Sequence, residues 1–271
     1  MTLLLAFCLA ATSAIGGPVV DRILEKGVLT VGTTGFYPPL TVKSKTGEMI
    51  GLDIDLANLI AKSMGVELKL VEMPIDELFT AIEKGKIDLA LAGITITPKR
   101  NMRVMFSGPY FAIGQSIVAH QALVSKITGP DDINKPSFRL AVAKGTTSET
   151  IAKLIAPKAR IVQADNMEAA MKLIFDKKAD AMMADEPFCV VAAFMHPAKK
   201  IAVSDPFTFE PLGIALPQND PLFFNLIDNF LMSLNANGEL KKLKSYWFTN
   251  PEWMTQLPEQ KSLSGYQKTK L

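Results

Sequence analysis

The chain has 271 residues, a formal charge of +2, and 48% hydrophobic against 21% charged residues. That length holds two medium domains or one large one, and the composition is that of an ordinary globular protein. The near-neutral balance argues against nucleic acid as a main partner, because proteins that bind it usually carry a strong basic patch.

The first twenty residues carry no charge. Leu3–Ala11 is an apolar run followed by the small residues Thr12, Ser13 and Ala14. This is the pattern of the apolar region and cleavage site of a secretory signal peptide, although the positive region that normally precedes it is missing. The run is too short for a bilayer, which needs ~20 apolar residues. A signal peptide is expected over residues 1–17. Bulky Phe7 precedes Cys8 where a lipoprotein needs a small residue, so no lipid attachment is expected. With the leader removed, Cys189 stands alone and no intramolecular disulfide can form. His120 and His196 are far apart, and no His/Cys cluster has metal-ligand spacing. No nucleophile elbow or phosphate loop is present either, so neither a metal nor a cofactor is expected.

Strand and helix signals then alternate. Val28–Val31 is β-rich. Asp53–Met64 has helical periodicity and meets Gly65. Leu68–Val71 reads as a strand, Ile75–Glu83 as a helix with Leu78, Phe79 and Ile82 on one face, and Leu89–Ala92 as a strand again. This βαβαβ order implies parallel pairing with helices on both sides. Pro98 opens a short helical turn that carries Arg100. The pattern restarts with strands at Ser116–Ala119 and Arg139–Ala143, then a helix from Ser148 to Ile155. Next come a strand at Arg160–Gln163, a helix capped by Asn166 and running to Phe175, and a strand at Ala181–Ala184. Pro221–Phe248 holds two amphipathic helices, and residues 251–271 read as a polar tail. No low-complexity linker separates the units, so the crossings are expected near Phe111–Gln115 and Pro211–Ala215.

Chemistry gathers where strands end. Gly32–Pro39 follows the first strand and Gly93–Arg100 the third. Gly145–Thr146–Thr147 opens a helix in the second unit, and Asp185 closes a strand there. Open α/β sheets bind ligands at the carboxyl ends of their strands. A helix N-terminus favours an anion, and the forked guanidinium of Arg100 matches two carboxylate oxygens. Asp185 can hold an ammonium group. Together these groups read as a receptor for a zwitterion.

The chain resembles the family of periplasmic solute-binding proteins for polar amino acids (family 3). The resemblance rests on Gly32–Thr33–Thr34–Gly35–Phe36–Tyr37–Pro38–Pro39, Gly51–Leu52–Asp53–Ile54–Asp55–Leu56–Ala57, Gly85–Lys86–Ile87–Asp88, Gly93–Arg100 and Lys144–Gly145–Thr146–Thr147, in that order. It implies an α/β, two-lobed clamshell of the type II periplasmic-binding-protein fold. Each lobe is then a mixed sheet flanked by helices, with two crossover strands as hinge. Lobe 1 takes residues 18–112 plus 213–250, and lobe 2 takes 113–212. The resemblance further implies that Arg100 binds an α-carboxylate and Asp185 an α-ammonium. Thr95 and the carbonyl of Gly93 assist Asp185, while Thr146 and Thr147 complete the carboxylate pocket. Tyr37 and Phe36 cover the side chain, and Thr34 and Ile75 line its pocket. Asp53 and Asp55 read instead as helix N-terminal charges favoured by the dipole.

The expected role is periplasmic capture of an amino acid by a monomer, for delivery to a membrane ABC permease, without catalysis. Thr34 stands where relatives that bind basic amino acids often carry an acid, so an uncharged side chain is expected. Two alternatives share the fold. One is a cyclohexadienyl dehydratase, whose catalytic Glu would fall where Phe188 stands; no His or Cys is expected near enough to replace it, and Glu186 should point elsewhere. The other is a ligand-binding sensor subunit, which would need a separate membrane partner.

Overall fold

The computed structural model describes residues 17–258, so the expected leader lies, apart from Gly17, outside the described residues. In chain order, α1 (Pro18–Lys26) precedes β1 (Val28–Thr33), and a small sheet follows in β2 (Phe36–Tyr37), β3 (Thr41–Lys43) and β4 (Met49–Ile50). Then come α2 (Leu52–Met64), β5 (Glu67–Glu72), α3 (Ile75–Glu83), β6 (Leu89–Ala90), α4 (Pro98–Asn101) and β7 (Met105–Ile113). The chain continues through β8 (Gln115–His120), the short α5 (Gln121–Val124) and α6 (Pro130–Ile133), β9 (Arg139–Ala143), α7 (Thr147–Ile155), β10 (Arg160–Ala164) and α8 (Met167–Phe175). Last are β11 (Ala181–Asp185), α9 (Glu186–Met195), β12 (Ile201–Val203), β13 (Glu210–Leu216), α10 (Pro221–Ala236) and α11 (Glu239–Thr249).

Two five-stranded sheets organise these elements. One has the order β5-β1-β6-β13-β7 and the other β10-β9-β11-β8-β12. In each, three parallel strands are followed by a strand that runs against them. The fold is therefore two-lobed α/β with mixed sheets, and the parallel pairing implied by the βαβαβ order is confined to three strands per lobe. The chain leaves the first sheet after Ile113 and returns to it at Glu210, which pairs with Ile113. On the return, Ser204 N–H still donates to the Ile117 carbonyl of the second sheet at 2.9 Å, and residues 205–209 carry the chain to Glu210. The two crossings lie side by side: Gln115 N–H donates to Thr208 Oγ1 at 2.8 Å, and Phe207 N–H to the Gln115 carbonyl at 2.9 Å.

Helices with a clear apolar stripe form where the sequence places them. α3 spans the expected residues, and Asn166 Oδ1 caps α8 by accepting from Ala169 N–H at 2.8 Å. Elements with contrary signals escape prediction. β7 contains Gly108–Pro109, a pair unfavourable in a central strand, but it is an edge strand, where proline is tolerated. α9 is apolar on most faces because it is buried, so it shows no stripe. The expected strand Leu89–Ala92 shortens to β6 because Gly93 turns left-handed, at φ +60°. Residues 251–256 form a 3₁₀ turn rather than the start of a tail. Trp253 is fully buried there against Trp247, with ring centroids 5.2 Å apart, because its large apolar ring stabilises by leaving water.

Candidate ligand-binding site

A cleft of about 940 Å³ lies between the lobes, at the carboxyl ends of the parallel strands. Thr34, Phe36, Tyr37, Ile75, Gly93, Thr95, Arg100, Thr146, Thr147 and Asp185 all line it, so the fold brings every residue singled out above to one place. The lobes touch across it. Phe36 of the first lobe meets Phe188 of the second edge-on and Tyr37 meets it at a tilt, with centroids 6.1 and 6.0 Å apart. Lys144 lies 3.9 Å from Asp76, and Thr95 Oγ1 lies 3.5 Å from Thr147 Oγ1.

Arg100 is set by its local sequence. Thr97 Oγ1 accepts from Arg100 N–H at 3.2 Å and Pro98 supplies the first helical position, so the short α4 points the side chain inward. Nη1 donates to the Thr95 carbonyl at 2.9 Å and Nη2 to the Gly145 carbonyl of the other lobe at 3.2 Å. The Phe79 ring lies 5.4 Å from the guanidinium carbon. Burial pulls the Arg100 pKa down to about 10, opposed by the negative charge of Glu210. No carboxylate among the described residues lies within ion-pair distance of it. Among the described residues two of its five N–H donors are engaged, which leaves a fork able to take a carboxylate.

The binding loop is held from beneath by Asp53. Its carboxylate is fully buried and accepts from Gly93 N–H at 2.6 Å and from the Tyr110 hydroxyl of β7 at 2.7 Å. Burial raises its pKa to about 7, and the two hydrogen bonds oppose the shift. Asp53 does stand in the first turn of α2, where a charge favoured by the dipole is expected, but that turn is buried and the carboxylate anchors the loop as well. Asp55 does sit near that helix start, accepting from Trp247 Nε1 at 2.7 Å. Gly93 is required there, since a Cβ would lie 2.4 Å from the Tyr37 ring and its φ is left-handed.

Asp185 ends β11 and is 5% exposed. Gln115 Nε2 donates to its Oδ1, and Gln115 Oε1 in turn accepts from the Ser148 hydroxyl at 2.7 Å. Burial first, and then the negative charge of Glu210, push the Asp185 pKa well above the usual carboxylate range. Glu210 is itself 5% exposed, and its Oε2 has no hydrogen-bond partner among the described residues. Gln115, Ser148 and Glu210 were not anticipated, because they belong to the crossings and to a helix start that show no motif. His196 also lines the outer cleft, edge-on to Phe175 at 4.6 Å, although neither histidine was expected near the site. Glu186, the first residue of α9, is half-buried, and burial raises its pKa. Cys189 is fully buried.

Residues 29–250 match the bacterial extracellular solute-binding proteins, family 3, and the chain belongs to that family. It is 31% identical to the cyclohexadienyl dehydratase of Pseudomonas aeruginosa over 230 residues, covering 84% of this chain and 85% of that protein. It superposes on an ancestral amino acid-binding protein, described as a precursor of cyclohexadienyl dehydratase, with TM-score 0.78 and 38% identity, covering 84% and 98% of the two chains. A putative binding component of an ABC transporter from Wolinella succinogenes, complexed with lysine, gives TM-score 0.80 and 34% identity over 85% and 99%.

Proposed function

We propose that the cleft captures a free α-amino acid outside the cytoplasm and presents it to a membrane ABC importer, without chemical change. The observation that carries this reading is the opposition of Arg100 and Asp185 across one cleft. A forked cation from one lobe and a buried carboxylate from the other match the two charges of a zwitterion, and neither lobe supplies both. Thr95 and Thr147 add hydroxyls, and Tyr37, Phe36 and Ile75 cover the side chain. Among the described residues two crossings join the lobes, so opening and closing by a hinge is the natural motion. The family and its amino-acid-binding members support the same reading.

A thermal-shift screen against the twenty amino acids tests it. A ligand at 100 times its Kd adds ~2.7 kcal/mol of stability. Small-angle scattering on the same ligand should show a smaller radius of gyration. A flat screen, or stabilisation that Arg100→Ala leaves intact, would refute the reading.

A second reading, elimination of water and carbon dioxide from a cyclohexadienyl acid, is favoured by the likeness to the Pseudomonas aeruginosa dehydratase. Against it, the position expected to carry the acid holds Phe188, which is buried against Phe36 and Tyr37. Incubation with prephenate and arogenate decides: phenylpyruvate or phenylalanine above background would favour the enzyme.

A further inference from the structure

The side-chain end of the cleft holds a carboxylate that the sequence motifs do not point to. Glu72 closes β5, whose register places it beside Thr33, and Met73 N–H donates to the Thr33 carbonyl at 3.0 Å. Its side chain reaches over Gly35, where a Cβ would lie 2.0 Å from Glu72 Oε1 and would push the carboxylate aside. Glu72 lines the same cleft as Thr34, Tyr37 and Ile75. Its partner is Lys43 Nζ at 2.6 Å, in a pair about half exposed on both sides. An expectation of an uncharged ligand side chain that counts only Thr34, Ile75 and Tyr37 therefore omits an acid brought in from the neighbouring strand.

Charged groups of both signs surround the cleft. Lys144 faces Asp76, and Lys172 pairs with Asp176 at 2.9 Å. Asp165 and Glu168 line the cleft without an ion pair among the described residues, and Glu210 adds a buried acid beside the Arg100 and Asp185 charges. Among the lining residues the cations Lys43, Arg100, Lys144 and Lys172 are matched in number by the acids Glu72, Asp165, Glu168 and Asp185, so what distinguishes the site is where Glu72 stands and not a surplus of charge.

We propose that Glu72 recognises the side-chain cation of the ligand, and that this protein selects amino acids ending in a guanidinium or ammonium, an inference that rests on the amino-acid reading above. Lys43 holds the carboxylate until the ligand cation takes its place. An exposed pair such as Lys43–Glu72 contributes little, so exchanging it costs little, while the same contact made in a closed cleft is less screened by water.

Calorimetry with L-arginine and its neutral isostere L-citrulline, and with L-lysine and L-norleucine, tests the proposal on the full chain. Wild type should bind arginine at least about tenfold tighter than citrulline, a charged contact of the usual size. Glu72→Gln should lose about tenfold for arginine and leave citrulline within about twofold. Lys43→Met, which removes the competing cation, should raise arginine affinity severalfold. Equal affinity of wild type for both members of each pair would overturn the proposal, as would an equal loss of both in Glu72→Gln or a fall in Lys43→Met. Tight binding of a neutral amino acid with none of the cationic ones would overturn it while leaving the amino-acid reading standing. Failure of every amino acid would remove both.

Discussion

The two lobes bury opposite charges in different ways. In the first, Arg100 leaves the short α4 and is held by two backbone carbonyls and an aromatic face, so it stays charged with its fork aimed into the cleft. In the second, Asp185 ends a regular strand and has one amide donor, with a second acid, Glu210, close enough to raise its pKa. A guanidinium remains ionised on burial because its unperturbed pKa is far above neutrality, whereas a carboxylate under the same burial readily takes a proton. The carboxylate receptor is thus preformed, and the ammonium receptor depends on pH.

The largest expected effect breaks the first half. Arg100→Ala should cost about 3–5 kcal/mol of binding for any α-amino acid, because a buried ligand carboxylate would then lack its partner. Arg100→Lys should recover only part of it, since an ammonium lacks the fork. Calorimetry measures both, and a loss below about tenfold would end the assignment.

Next comes the buried acid of the first lobe. Asp53 has its pKa raised to about 7 in the fold. A raised carboxylate contributes stability that is present below the unfolded pKa near 4 and is lost as pH rises to about 7. Between pH 5 and 7, ligand-free wild type should therefore lose about 2–3 kcal/mol relative to Asp53→Asn. Chemical denaturation of both proteins across that window checks it; parallel curves would contradict the assignment.

For the second half, Asp185→Asn should weaken amino acids by about 2 kcal/mol and their deaminated analogues far less, since only the ammonium meets the carboxylate. The raised pKa of Asp185 also sets a direction. Acidification protonates it, so wild-type affinity for amino acids should fall as pH falls, and Asp185→Asn should flatten that profile. Calorimetry at several pH values reads both outcomes. Equal losses for the two ligand types would remove the ammonium role.

The smallest effect sharpens the comparison. Ser148→Ala frees the Gln115 amide to turn and should cost about 1 kcal/mol for amino acids through Asp185. The second lobe should then become more sensitive to pH, while binding of a ligand that has only a carboxylate is spared. A loss shared by both would mean a general packing defect.

The sequence by itself determined the parts whose signal is local. Periodicity located α3 and α8, a proline and a hydroxyl announced the turn carrying Arg100, and glycines after strands marked where ligands gather. Those patterns follow from 3.6-residue and two-residue repeats and from caps, which act within a few residues. Only the tertiary structure decided the rest. Asp53 is a surface-type charge by its position at a helix start, and becomes a loop anchor because Tyr110 and Gly93 arrive from 57 and 40 residues away. Gln115 and Glu210 acquire meaning because two chain crossings lie side by side. Glu72 reaches the cleft because β5 lies parallel to β1 and sets it beside Thr33. In each case burial and long-range pairing set the chemistry of the group, and neither is written in the residues adjacent to it.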